Sequence, residues 1–237
     1  MAATAGPPQS ARPWDRGLDR FGLVLAAVSL SIVVLSLVDV GGSYRASLLV
    51  NVTNGVALLA AVRACGSRPR VRLAVVTLVA VTVGLGALAA VLEATPAGDV
   101  LPPPRGSVSP LWLAAVAVVP ALVVRRLAEH PFVGRQTVLG ALAAYLQIAV
   151  AYAAAYQGLD AVTEPPAFGE GQPTTALMYL SLTTISTLGI GDVVPTSELA
   201  RLLVASEALL GQLFLVTIVA FVVSRLGAES RRAGPPS

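Results

Sequence analysis

Long apolar runs separated by short polar segments set the rhythm of this chain. They cover 21–38, 46–62, 73–92, 110–124, 136–157 and 199–224. Most approach the ~20 residues that a helix rising about 1.5 Å per residue needs to cross a bilayer's hydrocarbon. Backbone in lipid must satisfy its own hydrogen bonds, so each run predicts a helix; no alternating barrel pattern competes. The run 110–124 is the shortest and carries Pro120. The run 21–38 follows Arg12, Arg16 and Arg20, as a signal peptide would. Its length exceeds the ~7–15 residues of a signal core and no small-x-small cleavage site follows, so a retained helix is expected.

Composition agrees with this pattern. Of 237 residues, 55% are hydrophobic and 12% charged, about half the ~25% charged residues of a soluble domain. That excludes an ordinary soluble globule, and a single cysteine, Cys65, excludes a disulfide scaffold. All 16 basic residues are Arg. This, with the Ala and Val usage, suggests a GC-rich bacterial source and hence the plasma (inner) membrane. With the N-terminus inside and six crossings, thirteen Arg fall on the cytoplasmic side, leaving Arg45, Arg105 and Arg201 outside. That bias follows the positive-inside rule and makes both termini cytoplasmic. It also accounts for the pI near 9.5 without nucleic acid as a partner. Asp39, Glu93, Asp99, Asp160, Glu164 and Glu170 fall outside.

The expected fold is an all-α membrane protein with six transmembrane helices. Its parts are a disordered tail 1–20, a four-helix membrane domain 21–135, a pore domain 136–226 and a polar tail 227–237. Cys65, at the inner end of the second helix, is expected to stay reduced.

The connection between the fifth and sixth helices differs from the others. A polar stretch, 158–173, holds three acids and three prolines. Then comes an apolar, Thr-rich stretch, 175–186, long enough for about three helical turns but too short to span. It runs into Thr187-Leu188-Gly189-Ile190-Gly191-Asp192. A short helix ending in glycines between two spans predicts a re-entrant loop, tolerated at membrane depth only where protein or a water-filled path surrounds it. Glycines at alternate positions admit positive φ without a Cβ penalty. An extended segment of alternating hand can turn successive carbonyls to one side. Carbonyls of Thr187, Leu188, Gly189 and Ile190, with the Thr187 hydroxyl, would then replace the hydration shell of a cation. One chain supplies one wall, so several chains around an axis are required. The negative end of the short helix dipole favours a cation there. Asp192 and the acidic outer loop would concentrate cations at the mouth.

The sequence Thr-Leu-Gly-Ile-Gly-Asp at 187–192 resembles the Thr-Val-Gly-Tyr-Gly-Asp filter signature of the potassium channel superfamily. Outer helix, pore helix, filter and inner helix occur in the order of that superfamily's two-helix pore module, over roughly the C-terminal 90 residues. The resemblance implies a homotetramer in the lipid membrane, K⁺ ions in the filter, no other cofactor, and passive K⁺ conduction. It implies ion ligands at Thr187, Leu188, Gly189, Ile190 and Gly191, an outer mouth at Asp192, and Thr183 and Thr184 near the filter's inner end. Gly211 falls where the family keeps a hinge glycine, and Gln212 beside it is a pore-lining candidate. Leu188 replaces the family's Val, and Ile190 replaces an aromatic that braces the filter against the pore helix. The alternatives are a nonselective cation channel, or a non-conducting accessory subunit or transporter.

Glu207 sits well inside the last helix, where an ionisable group is costly and marks either function or a bond to pore-helix Thr or Ser groups. Asn51 and Asn54 are expected to bond between helices, and Gly84 and Gly86 to mark close packing. The single histidine, His130, supports neither a metal cluster nor a catalytic triad, so an enzyme is not expected. A voltage sensor would carry a cation at every third residue of the fourth helix. The run 110–124 has none before Arg125 and Arg126. Open probability of the reconstituted protein is therefore expected to vary little with voltage in planar-bilayer recording. Steep opening on depolarisation would contradict that expectation.

Overall fold

The computed structural model describes residues 21–39, 43–95, 135–169 and 172–232. Among these, the chain forms six helices and no strand: α1 (Phe21–Leu37), α2 (Tyr44–Ala64), α3 (Pro69–Leu92), α4 (Arg135–Val162), α5 (Thr174–Ile185) and α6 (Glu198–Arg232). Four of them, α2, α3, α4 and α6, are long and apolar enough to cross a membrane. The 17 residues of α1 reach about 25 Å, somewhat less than a hydrocarbon core of about 30 Å. The 12 residues of α5 reach about 18 Å and cannot cross. The expected span 110–124 lies outside the described residues, with Pro120, Arg125, Arg126, His130 and the tail 1–20.

Helix ends differ from the hydropathy boundaries for local reasons. α3 begins at Pro69, at the first helical position, where a missing N–H costs nothing. α4 runs a turn beyond Gln157, through Gly158 to Val162, and the Thr163 hydroxyl donates to the Leu159 carbonyl. α6 continues past 226 to Arg232, into the stretch expected as a polar tail. Ala228, Arg231 and Arg232 are good helix formers, and a single Gly227 does not outweigh them.

Two acids expected only to colour the outer surface cap helices instead. The Glu93 carboxylate accepts the Tyr44 N–H at 3.3 Å, beside the Ser43 hydroxyl that accepts the Ala46 N–H at 3.2 Å. The Asp39 carboxylate accepts the Thr174 N–H at 3.2 Å. Each satisfies orphan donors at a helix N-terminus and places negative charge at the positive end of the dipole.

The core forms three apolar clusters along α4. The first joins Val24 and Val28 of α1, Ala57 and Leu58 of α2, and Ala141 and Ala144 of α4. The second joins Leu35, Val50, Ala149, Ala153, Met178 and Ile185. The third joins Tyr156, Phe168, Leu177 and Ala200. The buried face of α4 is largely alanine, which lets neighbouring backbones approach closely. α3 packs on α2 but leaves Leu73, Val81, Leu85, Leu88 and Val91 exposed, as a lipid-facing helix does.

Close packing is found at one of the two expected glycines and is tighter at a third. A Cβ at Gly84 would meet nothing, whereas one at Gly86 would lie against Leu48 of α2, 3.4 Å from its Cδ1 and 3.9 Å from its Cα. One at Gly55 would lie 2.8 Å from Val79 Cγ1, so the α2–α3 contact depends on Gly55. In place of the interhelical bonds expected of Asn51 and Asn54, the Asn54 amide donates within α2 to the Val50 carbonyl at 3.1 Å, while the Oδ1 atoms of both residues are buried with no hydrogen-bond partner among the described residues. A buried amide close to its own i−4 carbonyl reaches it without displacing a neighbouring helix. Gly55→Leu is expected to destabilise the protein by about 1–3 kcal/mol in mixed-micelle unfolding. Gly84→Leu, facing open space, is expected to stay within about 0.5 kcal/mol.

Candidate functional site

The short helix α5 is fixed at both ends. Its N-cap position is Pro173, which offers no side-chain cap, and Asp39 supplies one from the end of α1. At the other end, the Tyr145 hydroxyl of α4 donates to the Ile185 carbonyl at 2.6 Å. The Ser186 N–H and hydroxyl both bond the Leu182 carbonyl, at 3.2 and 2.6 Å. Gly211 of α6 lies against the same end: a Cβ there would sit 2.7 Å from Ile185 Cγ1 and 3.1 Å from its carbonyl oxygen. Gly211 is thus buried as a packing residue, α6 runs through it unbroken, and Gln212 is exposed.

Beyond α5 the backbone alternates in hand. Thr187, Gly189 and Gly191 have φ of 60°, 55° and 80°, and Leu188 and Ile190 between them do not share that positive φ. Positive φ is easy for glycine. For a β-branched threonine it is rare, costs of order 1–3 kcal/mol and persists only where the surroundings hold it. Here the Thr187 N–H bonds the Thr184 carbonyl at 3.0 Å. The Leu188 and Gly189 N–H groups both bond the Thr183 carbonyl, at 2.9 and 3.1 Å. In a planar trans peptide the N–H and the preceding C=O point in opposite directions. Turning these N–H groups back onto α5 therefore turns the carbonyls of Ser186, Thr187 and Leu188 away from it. The side chains of Leu188 and Ile190 are exposed in the single chain. The Thr183 hydroxyl back-bonds to the Leu180 carbonyl at 3.0 Å.

The segment after the glycines is tied down separately. Asp192 accepts the Val193 N–H at 3.0 Å. The loops on either side of α5 are strapped by the Thr196 N–H on the Ala167 carbonyl at 2.8 Å and by the Phe168 N–H on the Asp160 carboxylate at 2.9 Å.

Behind α5 lies a polar cluster with no access to solvent. Glu207 of α6 is 0% exposed. Its Oε2 accepts the Tyr156 hydroxyl of α4, and its Oε1 lies 2.5 Å from the Ser181 hydroxyl of α5. Ser181 Oγ is also 2.7 Å from the Ala149 carbonyl of α4. A serine hydroxyl has one proton to give. The Ser181 hydroxyl therefore serves two acceptors, the Ala149 carbonyl and the Glu207 carboxyl. The cluster thus joins α4, α5 and α6 at one point. A fourth tie, Tyr152 to Ser206 at 3.0 Å, lies beside it.

These ties include residues that hydropathy did not mark: Asp39, Tyr145, Tyr152, Tyr156, Ser181 and Ser206. One signal was present. Tyr145, Tyr152 and Tyr156 stand at i, i+7 and i+11, one face of a membrane helix, and each buried tyrosine hydroxyl needs a partner. Among the described residues no group of His, Cys, Asp and Glu could hold a metal ion. What the site offers chemically is a run of backbone carbonyls, those of Ser186, Thr187 and Leu188, turned away from α5 along a segment exposed in the single chain.

Residues 141–228, from α4 to α6, match the model of a family described as ion channel. That stretch contains the whole of α5, the alternating backbone and the polar cluster. No match was found among curated proteins.

Replacing Glu207 separates packing from hydrogen bonding. Glu207→Gln keeps one donor and one acceptor and is expected to cost under about 1 kcal/mol in mixed-micelle unfolding. Glu207→Leu leaves the buried Tyr156 hydroxyl without its acceptor and is expected to cost about 1–3 kcal/mol. Equal losses for the two would contradict the bonding described here.

Proposed function

We propose that the chain is a passive potassium channel, four copies of which surround one axis in the plasma (inner) membrane with both termini cytoplasmic. The observation that carries this reading is the alternating backbone at 187, 189 and 191, with its N–H groups turned onto the Thr183 carbonyl. Four such segments facing an axis would stack rings of carbonyl oxygen from Thr187, Leu188, Gly189 and Ile190, and such rings replace water around a bare cation. The C-terminal end of α5 adds negative potential below the rings, and Asp192 adds charge above them. The ion-channel family match over residues 141–228 supports the same class. Gln212, exposed on α6, would face the path below the filter, and Gly211 would let α6 bend there if the pore gates by its inner helix.

A second reading, a nonselective cation channel, rests on one feature. Ile190 has no hydroxyl with which to bond the pore helix, so that brace is missing from this filter. Selectivity for K⁺ over Na⁺ depends on the field and stiffness of the carbonyl cage.

Reversal potentials across liposome-derived bilayers under opposed K⁺ and Na⁺ gradients test the choice. Values near the K⁺ equilibrium potential are expected. A reversal potential midway would transfer the reading to a nonselective channel, and absence of current to an accessory subunit. Gly191→Ala probes the site itself. The substitution is strained at φ 80°, yet its Cβ would meet only the Gly189 carbonyl oxygen, at 3.9 Å. Loss of flux with an unchanged oligomer by size exclusion is expected. Wild-type current in that variant would exclude 187–191 as the ion path.

A further inference from the structure

The α2–α3 hairpin turns at Gly66 to Arg68, far along the chain from the proposed pore. A groove of about 260 Å³ opens there, lined by Arg63 of α2 and by Pro69, Arg72, Leu73 and Val76 of α3. The four α3 residues stand at i, i+3, i+4 and i+7, so they form a single stripe, and Arg63 faces it from the neighbouring helix. The groove is open, and its volume falls below the roughly 300–1,000 Å³ of enclosed small-molecule sites. It would take the head of a ligand whose remainder lies outside.

Charge says which head. Arg63 and Arg72 share the turn with Arg68 and Arg70. Among the described residues the one ion pair is Arg201 with Glu198, so no carboxylate of those residues neutralises either groove arginine. The first turn of α3 has no acid and its N-cap makes no side-chain bond. Immediately next to the arginines, Leu73 is 67% and Val76 39% exposed. The apolar exposure continues along α3 through Val81, Leu85 and Leu88. A planar guanidinium pair above an apolar, lipid-facing stripe matches a ligand with a phosphate at one end and hydrocarbon at the other. Basic pockets between membrane helices hold anionic headgroups by the same combination.

We propose that this groove seats the phosphate headgroup of an anionic phospholipid, with Arg63 and Arg72 on the phosphate and an acyl chain along Leu73, Val76 and the exposed face of α3. The exposed face of α3 is thereby fastened to the membrane interface. The site shares no residue with the proposed ion path.

The test uses the full chain in nanodiscs of equal parts phosphatidylcholine and phosphatidylglycerol, with retained lipid counted by native mass spectrometry. Phosphatidylglycerol is expected to be retained about tenfold over phosphatidylcholine at low salt, with the preference falling as salt rises. Arg63→Gln with Arg72→Gln is expected to bring retention to parity, and Leu73→Gln to reduce it. All three positions are exposed, so folding is not at stake. Arg45→Gln, at the other end of α2, is expected to leave it unchanged. Equal retention of the two lipids by the unaltered chain, or an undiminished preference in the double variant, would overturn the proposal. Inorganic phosphate without lipid is expected to stay unbound; retention equal to that of the lipid would make this a soluble-anion site instead. Ion flux plays no part in the readout, so failure here leaves the channel reading standing, and the reverse.

Discussion

The Thr183 carbonyl accepts two N–H groups, those of Leu188 and Gly189, and the rest of the region from α4 to α6 is arranged around that bond pair. Backbone donors held away from water must be satisfied inside the protein. Folding the segment 187–189 back onto the end of α5 does so for its three N–H groups and leaves the carbonyls of Ser186, Thr187 and Leu188 on the far side. The cost is a threonine at positive φ, which only a fixed helix end can hold. The position of α5 is therefore what the structure has to secure. Asp39 holds its N-terminus from α1, Tyr145 holds its C-terminus from α4, and Gly211 lets α6 lie directly against Ile185.

Glu207 completes that framework from behind. Burying a carboxyl in a membrane helix is expensive, and here hydroxyls from two other helices offset the cost. A purely apolar contact at the same place would pack as well but would tolerate sliding and rotation of α5. A bonded carboxyl fixes one register among α4, α5 and α6. The selective value of buried polar groups as register-setters is known in some systems. For this chain the same reasoning explains why three polar side chains from three helices meet where apolar ones would have sufficed.

Much of this was legible in the sequence and some was not, for identifiable reasons. Hydropathy marked the helices because lipid permits little else, and it marked α5 as too short because length alone decides that. Alternating glycines marked the positive φ at Gly189 and Gly191, but Thr187 shares that backbone without a glycine to announce it. Of the two readings of Glu207, the structure contains the bond to a hydroxyl of the short helix α5, at Ser181, together with one to Tyr156 that no local pattern implied. Asp39 and Thr174 lie 135 positions apart, and no periodicity links them. Gly55 and Gly84 look alike in sequence; which one meets a neighbour depends on helix rotation, which hydropathy on a uniformly apolar helix does not define.

The central claim is that the carbonyls turned away from α5 are where the permeant ion is held. Carbonyl ¹³C resonances of Thr187 and Leu188, recorded by solid-state NMR on the reconstituted protein, report that contact directly. On exchange of Na⁺ for K⁺ these two resonances are expected to shift together and to saturate, while the Gly84 carbonyl of α3 stays in place. Resonances at 187 and 188 that do not respond to either cation would contradict the claim.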